Sequence, residues 1–449
     1  MLAQGKPRRL SAEDLSILAL ENETIAGHTC KVIVLHGRID LDLLRSSVGE
    51  RLHLAPALCM RLEEIEGAGW WMPAPHVDVN VHVVERDAPG VLGEAEFTAT
   101  VAAIFAQHLD RSRPLWRIDL IPRLAGGGSA LVWRIHHALA DGTTAMRMAR
   151  AVLWDEVPGA APHAGSARKR PPAAGEQAPA AHHRLGGLVT AIREAPQPWL
   201  RSPFDGHVDA QRSVAFTTVG LEELHRVARA AGGATVNDAV LTVVAGGLRR
   251  WLESHHGHLG AIRVKVPVSL HTLPLMSGDD GSGDGPEPGN RDSFFCVDLP
   301  LGSADPLERL TAIRHATRVR KQGHDAQHLD AIMHQLARTP RLREFAGRVL
   351  AHPRSFALNV SNVPGPRQPL RVLGIPVAAL YALAEIGQHH ALRVAVVSLA
   401  GTLSFGLVAD PTLLADVDLL AADVQDEATA LIACLSLTHP TLASSLRAA

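Results

Sequence analysis

A stretch rich in proline, alanine and glycine divides this 449-residue chain into two parts. It runs from residue 156 to residue 183, EVPGAAPHAGSARKRPPAAGEQAPAAHH, and lacks the hydrophobic periodicity of a helix or a strand. Single cores rarely grow beyond about 250–300 residues, so a chain of this length is expected to hold two folded units. We therefore predict an N-terminal half over 1–155, a linker over 156–212 and a C-terminal half over 213–449.

Charge, cysteine content and hydropathy exclude several classes of protein. The formal net charge is −2, which gives no overall attraction to nucleic acid. Four widely spaced cysteines, without a CxxC pair, argue against a disulfide framework or a zinc knuckle and fit a reducing compartment. The N-terminus lacks the apolar core of a secretory signal, and no stretch reaches the roughly 18–20 apolar residues of a spanning helix. We expect a cytoplasmic protein whose membrane contact is peripheral.

The segment SALVWRIHHALADGTT, residues 129–144, predicts a strand that turns into a helix. Apolar and polar residues alternate up to His136 and His137, so the two imidazoles are expected on opposite faces of the strand. Asp141-Gly142 supplies turn chemistry, and the following residues form a helical pattern with Thr143 or Thr144 near its N-cap. Corners of this kind commonly present side chains to ligands.

The C-terminal half alternates predicted strands and helices. A helical stripe within 235–256 is followed by strands near 261–270 and 293–301, two helical stretches between 305 and 350, a strand into a Pro-Gly turn over 355–366, and two strands over 391–411 joined at Ala400-Gly401. The acidic, glycine-rich segment 276–290 is expected to be a surface loop, with a lid as the alternative. Mixed strands and helices in both halves predict an α/β or α+β architecture.

Three interpretations of the histidine pair are open on the residues alone. An imidazole facing a cavity can act as a general base at neutral pH, in which case His137 is the base while His136 and Asp141 fix the backbone. A metal site is disfavoured because neighbouring side chains on a strand diverge, and no matching acidic or cysteine cluster is apparent. A satisfied pair in the core is the plain structural alternative, and the chain has 25 histidines.

The sequence lacks the motifs of several other enzyme classes. We find no GxSxG nucleophile elbow, no phosphate-binding GxxxxGK[ST], no GxGxxG after a strand and no HExxH. Direct transfer from a bound donor to a bound acceptor is therefore favoured over a hydrolase triad.

Five motifs in order carry a family resemblance: PLW at 114–116, HHALADG at 136–142, ND at 237–238, SNVPGP at 361–366 and LSFGLVAD at 403–410. Together with 10–24 and 288–301, they resemble the bacterial bifunctional wax ester synthase/acyl-CoA:diacylglycerol acyltransferase family. Chloramphenicol acetyltransferase and peptide-synthetase condensation domains are broader relatives that share HHxxxDG. The resemblance implies two chloramphenicol-acetyltransferase-like half-domains, each a sheet backed by helices, with an active-site tunnel between them.

The resemblance also implies an activity: transfer of a long-chain fatty acyl group from acyl-CoA to a diacylglycerol or fatty alcohol, giving triacylglycerol or wax ester and CoA. On that basis His137 deprotonates the acceptor hydroxyl, and His136, Asp141 and Gly142 support it. No metal or cofactor is required, since acyl-CoA is a substrate. Insoluble substrates imply peripheral association with membrane or lipid droplets.

Five residues in two other motifs are expected to bind substrate, although each motif also has a purely structural interpretation. Pro114, Leu115 and Trp116 are placed near the active channel by the resemblance, although on sequence alone they could be a strand entry with a core tryptophan. Asn237 and Asp238 could shape the channel or simply cap a helix.

The remaining expected substrate-binding residues lie between 288 and 366. Asn290 belongs to the family-like segment 288–301. Ser361 and Asn362, at a strand end, are suited to hydrogen-bond an oxyanion or an acceptor hydroxyl, or they could serve only the turn that follows.

Two alternative functions are distinguishable by experiment. A condensation-type acyltransferase would use a carrier-bound or secondary-metabolite substrate. An inactive lipid-binding relative would hold acylglycerol without turnover, although the intact HHALADG and SNVPGP argue against it.

Overall fold

The structure is a computed structural model that describes residues 5–87, 90–155, 202–258, 260–269, 292–323, 352 and 354–438. Most of the predicted linker, the acidic segment 276–290 and the second helical stretch before 350 lie outside these described residues, as does Asn290.

Two six-stranded mixed sheets form the framework, which confirms the predicted α/β class. The first sheet has the order β12-β13-β2-β7-β6-β5 and the second the order β10-β9-β11-β14-β15-β8. A small third sheet has the order β1-β4-β3. The strands are β1 (Arg8–Arg9), β2 (His28–Leu35), β3 (Met60–Ile65), β4 (Ala68–Pro73), β5 (Val83–Glu85), β6 (Trp116–Ile121), β7 (Ser129–His136), β8 (Ser213–Gly220), β9 (Ala261–Ser269), β10 (Asp292–Pro300), β11 (Leu358–Val363), β12 (Arg371–Val372), β13 (Ile375–Ala384), β14 (Leu392–Leu399) and β15 (Thr402–Ala409).

Helices accompany both sheets. In the described residues they are α1 (Ala12–Leu18), α2 (Leu41–Arg51), α3 (Val79–His82), α4 (Glu94–Phe105), α5 (Gly142–Val152), α6 (Leu221–Ala230), α7 (Val236–His255), α8 (Pro306–Gln322) and α9 (Val417–Thr438), with 3₁₀ turns at Leu52–Leu54 and Pro56–Cys59. The helical stripe predicted within 235–256 is confirmed by α7, a largely buried helix packed against α8 and α9. The tight turn at Ala400-Gly401 is confirmed too, since both residues adopt positive φ, 47° and 92°.

The alternation read in β7 determines which core each of its residues enters. Leu131, Trp133 and Ile135 pack into one hydrophobic cluster, and Val132 packs into the other, on the opposite face of the sheet. Arg134, on the same face as Val132, is buried and pairs with Asp119 at 2.8 Å. The strand therefore delivers the two histidines that follow to opposite faces, as the sequence predicts.

Two strands from the C-terminal part of the chain complete the first sheet. β13 pairs antiparallel with β2 over seven positions, from Val377 opposite Leu35 to Ala384 opposite Thr29, with one irregularity after Val377. Asp155 secures the turn before β13 by accepting hydrogen bonds from the amides of Leu373 (2.9 Å) and Gly374 (2.7 Å). The predicted boundary at residue 213 therefore does not separate the two sheets.

Candidate active site

The histidine pair lies where β7 ends, and main-chain hydrogen bonds from two neighbouring segments hold it there. The amide of His136 donates to the carbonyl of Leu115 (3.0 Å), and the amide of His137 donates to the carbonyl of Gly27 (2.9 Å). Both carbonyls belong to segments next to β7, one before β6 and one before β2. The histidine corner, residues 136–142 between β7 and α5, is thus held by main-chain hydrogen bonds from both sides.

His136 points away from the cavity described below and is fully hydrogen-bonded. Its Nδ1 accepts from the amide of Ala138 (3.1 Å), so the ring proton lies on Nε2, which is 3.1 Å from Oε2 of Glu21. Burial raises the pKa of Glu21, but hydrogen bonds from His136 and Arg111 outweigh this and lower the pKa overall. His136 is therefore held as a structural member of the corner.

A glycine makes room for this imidazole. Gly27 has φ +67°, and a Cβ added to it would lie 2.8 Å from Nε2 of His136. The same loop is tied to the C-terminal part of the chain, because the amide of Ala26 donates to the buried carboxylate of Glu385 (3.1 Å), which also pairs with Arg212 (2.9 Å). The loop that carries the Gly27 carbonyl is thus fixed by a buried ion pair.

His137 faces a cavity between the two six-stranded sheets. Burial is the main cause that lowers the pKa of its imidazole to about 4, and the positive charge of Arg393 lowers it further. The main-chain carbonyl of His137 itself and the charge of Asp141 act in the opposite direction. His137 as a residue is only partly buried and lines the cavity. At neutral pH this imidazole is uncharged and can accept a proton.

Asp141 and Gly142 begin the helix that follows the corner. Asp141 is the N-cap of α5, where its buried carboxylate accepts from the amide of Thr144 (2.6 Å). The cap lies two to three residues earlier than the threonines predicted, because an aspartate with extended backbone precedes them. A Cβ on Gly142 would lie 2.9 Å from Cγ2 of Val363, so this glycine lets the helix approach the end of β11.

The cavity measures about 110 Å³ and joins residues from both sheets. Four predicted site residues line it: His137 and Gly142 on one side, Ser361 and Asn362 on the other. A volume of this size accommodates reacting groups rather than a whole lipid, since sites that enclose drug-sized ligands are about 300–1,000 Å³.

Three further predicted residues, in the PLW motif, lie beside the corner and not in this cavity. Leu115 and Trp116 are buried, and the indole nitrogen of Trp116 donates to the carbonyl of Leu58 (2.7 Å). Pro114 lines a separate, polar surface pocket of about 270 Å³ together with Arg61 and Arg113. The motif contacts the histidine corner through the Leu115 carbonyl.

Asn237 and Asp238 lie in the first turn of α7 and also do not line this cavity. Asp238 forms a capping box with Thr235, and its other carboxylate oxygen accepts from the hydroxyl of Thr317 (2.7 Å). Asp238 therefore ties α7 to α8, in line with the helix-cap interpretation.

Sequence reasoning missed two cationic side chains that line the cavity. Lys31 comes from β2 and Arg393 from β14. The signal for Lys31 was a single basic residue inside the otherwise apolar run CKVIVL, 30–35. Arg393 is the second residue of β14, and no sequence motif marks its position.

Two further observations concern the described residues as a whole. No three His, Cys, Asp or Glu side chains among them are arranged to hold a metal ion. None of the helices within the described ranges combines the length and the apolar character needed to cross a bilayer.

Comparison with protein families and known proteins identifies what this arrangement is similar to. The family model for the wax ester synthase/diacylglycerol acyltransferase catalytic domain matches residues 10–198, and the model for the WS/DGAT C-terminal domain matches residues 288–431. A Mycobacterium tuberculosis protein named as a diacylglycerol O-acyltransferase is 32% identical over 455 residues, which cover 89% of this chain and 87% of the relative. A second, tgs1 of the same species, is 28% identical and covers 88% of each chain.

Solved structures share the fold. The wax ester synthase/diacylglycerol acyltransferase from Marinobacter aquaeolei VT8 superposes with a TM-score of 0.67 at 23% identity, over 94% of this chain and 98% of that one. The first condensation domain of the CDA synthetase superposes with a TM-score of 0.58 at 17% identity, over 96% and 97% of the two chains. With both family models and a relative at 32% identity over nearly its whole length, this chain belongs to the wax ester synthase/diacylglycerol acyltransferase family and is an acyltransferase.

Proposed function

We propose that this enzyme transfers a long-chain acyl group from acyl-CoA to the hydroxyl of a diacylglycerol or fatty alcohol, with His137 as general base. The observation that carries the proposal is an uncharged imidazole that lines a cavity between two sheets, a cavity also lined by Ser361 and Asn362 of the second sheet. An imidazole held neutral in such a cavity can remove the proton of a hydroxyl that has entered it.

In the proposed reaction no covalent enzyme intermediate forms. The acceptor hydroxyl gives its proton to His137 as its oxygen attacks the thioester carbonyl carbon, and negative charge develops on the carbonyl oxygen. Ser361 or Asn362 donates a hydrogen bond to that oxygen. The carbon–sulfur bond then breaks, the departing CoA sulfur takes the proton from His137, and an ester is released. The proposed reaction needs no metal and no cofactor.

The other predicted residues act, in this proposal, by positioning. His136 and Asp141 hold the corner through their bonds to Glu21 and to the amide of Thr144. The PLW motif supports the corner through the Leu115 carbonyl, and Asp238 of the ND pair sets α7 against α8.

The test is release of free CoA thiol from palmitoyl-CoA with 1-hexadecanol or a diacylglycerol as acceptor, with products resolved by thin-layer chromatography. We expect turnover with at least one acceptor, and a loss of at least 100-fold in His137→Ala, in the range for removal of a general base. The exposed His36→Ala is the matched control and should keep wild-type turnover. Near-normal turnover in a folded His137→Ala would refute the mechanism, and release only with carrier-bound donors would indicate a condensation-type enzyme.

We further propose that the enzyme works at the surface of membranes or lipid droplets, because its lipid substrates are insoluble. Co-flotation with liposomes containing diacylglycerol is the direct measurement. Recovery of all the protein in the liposome-free fraction would contradict peripheral association.

A further inference from the structure

A lysine lies in the wall of the cavity. Lys31 is in the middle of β2, between Trp133 of β7 and Ala382 of β13, and only 2% of its surface is exposed. Alternation along β2 places it on the same face as Thr29, and both residues line the cavity. Lysine is almost never this buried unless it is paired, so its presence needs an explanation.

No described residue pairs with the ammonium group of Lys31. Within the described ranges, Lys31 makes no hydrogen bond and no ion pair within 4 Å. Burial lowers its pKa to about 8, and electrostatic interactions with Cys30 and Asp141 offset this only in part. The group is thus mainly protonated at pH 7. Asp141, meanwhile, is engaged as the cap of α5.

This ammonium changes what the cavity can hold. A hydrocarbon chain placed against it would leave a buried cation without any hydrogen bond, which costs several kcal/mol. An oxygen of the substrate would supply the missing acceptor. Sites built to hydrogen-bond a substrate group discriminate strongly against analogues that lack the group, because the polar side chain is then left unpaired.

We propose that Lys31 is a specificity-determining residue, which donates a hydrogen bond to an oxygen close to the reacting hydroxyl of the acceptor. The acceptor would therefore be an oxygen-bearing alcohol, such as an acylglycerol with its ester groups or a hydroxy acid with its carboxylate, in preference to a simple fatty alcohol. This inference rests on the proposed function and selects between the two acceptor classes named there.

The position of Lys31 favours the acceptor over the thioester carbonyl as its partner. The register pairs His28 with His136, so Lys31 starts three residues, about 10 Å, farther along the sheet from the histidine corner. Ser361 and Asn362, the proposed donors to the thioester oxygen, lie on the wall formed by the other sheet. Lys31 thus faces the part of the substrate beyond the reacting hydroxyl.

The experiment compares acceptors of similar length that differ in oxygen content. 1-Hexadecanol has no second oxygen, 2-hydroxyethyl tetradecanoate has an ester two carbons from its hydroxyl, and 2-hydroxyhexadecanoate has a carboxylate. CoA release from palmitoyl-CoA gives kcat/KM for each in the wild type, in Lys31→Met, which keeps the length without the charge, and in Lys31→Arg, which keeps the charge.

We expect the wild type to favour at least one oxygen-bearing acceptor over 1-hexadecanol by about tenfold or more, and the better of the two identifies an ester or a carboxylate as the partner. In Lys31→Met, kcat/KM should fall for that acceptor and rise for 1-hexadecanol, so that the preference disappears. Lys31→Arg should keep part of it. Thermal unfolding of each variant verifies that it is folded.

Three results would overturn the inference. Equal wild-type kcat/KM for all three acceptors would remove the specificity role and leave the proposed function intact. An equal loss for every acceptor in Lys31→Met would assign the lysine to the thioester oxygen instead. No CoA release with any acceptor would refute the proposed function itself, and this inference with it.

Discussion

Replacing Lys31 by methionine should stabilise the ligand-free protein. The pKa of this lysine falls from 10.5 to about 8 on folding, chiefly through burial, and the difference corresponds to about 3 kcal/mol. Below pH 8 the lysine is protonated in both states, and the folded state carries the whole cost of a buried ammonium. Methionine has a similar length and no charge, so Lys31→Met should recover about that amount at pH 7.

The stability advantage of Lys31→Met over the wild type should depend on pH. Between pH 8 and pH 10.5 the unfolded chain holds the proton of Lys31 more tightly than the folded chain, so the stability contributed by this residue in the wild type rises with pH. The advantage of Lys31→Met should therefore shrink over this interval and vanish near its upper end. A substitution at an exposed lysine should not show this pH dependence of stability.

Thermal unfolding at pH 7 and at pH 10 is the assay. Because the shared first sheet joins the two parts into one cooperative unit, and the entropy of unfolding is about 2.1 cal/mol/K per residue, a gain of about 3 kcal/mol raises Tm by roughly 3 °C for this chain of 449 residues. Lys6→Met, at an exposed position, is the control and should leave Tm unchanged at both pH values. If Lys31→Met lowers Tm at pH 7, the ammonium is not an unpaired cost in the folded protein and the reasoning fails.

Three further predictions concern the histidine corner. Gly27→Ala should lower turnover by more than tenfold because the new Cβ meets the first imidazole of the pair, whereas Gly67→Ala, with a similar φ of +73° and no atom within 4 Å, should cost only backbone strain of about 1–2 kcal/mol and keep its turnover. Gly142→Ala should cost about 1–3 kcal/mol by overpacking against Val363, and adding Val363→Ala should restore most of the loss in a double-mutant cycle measured by Tm. The acid limb of kcat/KM should fall near pH 4 and not near 6.5, because the low pKa of His137 keeps the base uncharged; a midpoint above pH 6 would contradict the neutral-base assignment.

Local patterns in the sequence were sufficient to place the corner. Alternation in 129–136 predicted which face each residue of β7 takes, and Asp-Gly predicted the turn that leads into a helix, although the helix cap lies two to three residues earlier than predicted. These features depend on neighbours along the chain, whose geometry is fixed by strand and helix periods. The same holds for the α7 stripe and the Ala400-Gly401 turn.

The features that the sequence did not reveal depend on contacts between distant segments. Nothing local in 375–384 indicates that this strand pairs with β2, over 340 residues away. Lys31 lies in a run that has the composition of an ordinary buried strand. It lines a cavity only because residues of the second sheet lie opposite it. The PLW motif was expected to contact substrate, but its placement beside the corner depends on how β6 pairs with β7.

The pairing of β13 with β2 in the first sheet determines how the protein can be divided. A chain cut between residues 156 and 201 yields one piece whose sheet ends at an unpaired β2 and another that carries β13 without its partner. The first six-stranded sheet is complete in neither piece, so a protease that cuts there should leave the two pieces bound together. Co-expressed as separate polypeptides, they should assemble only with each other, and acyl transfer would then report their association.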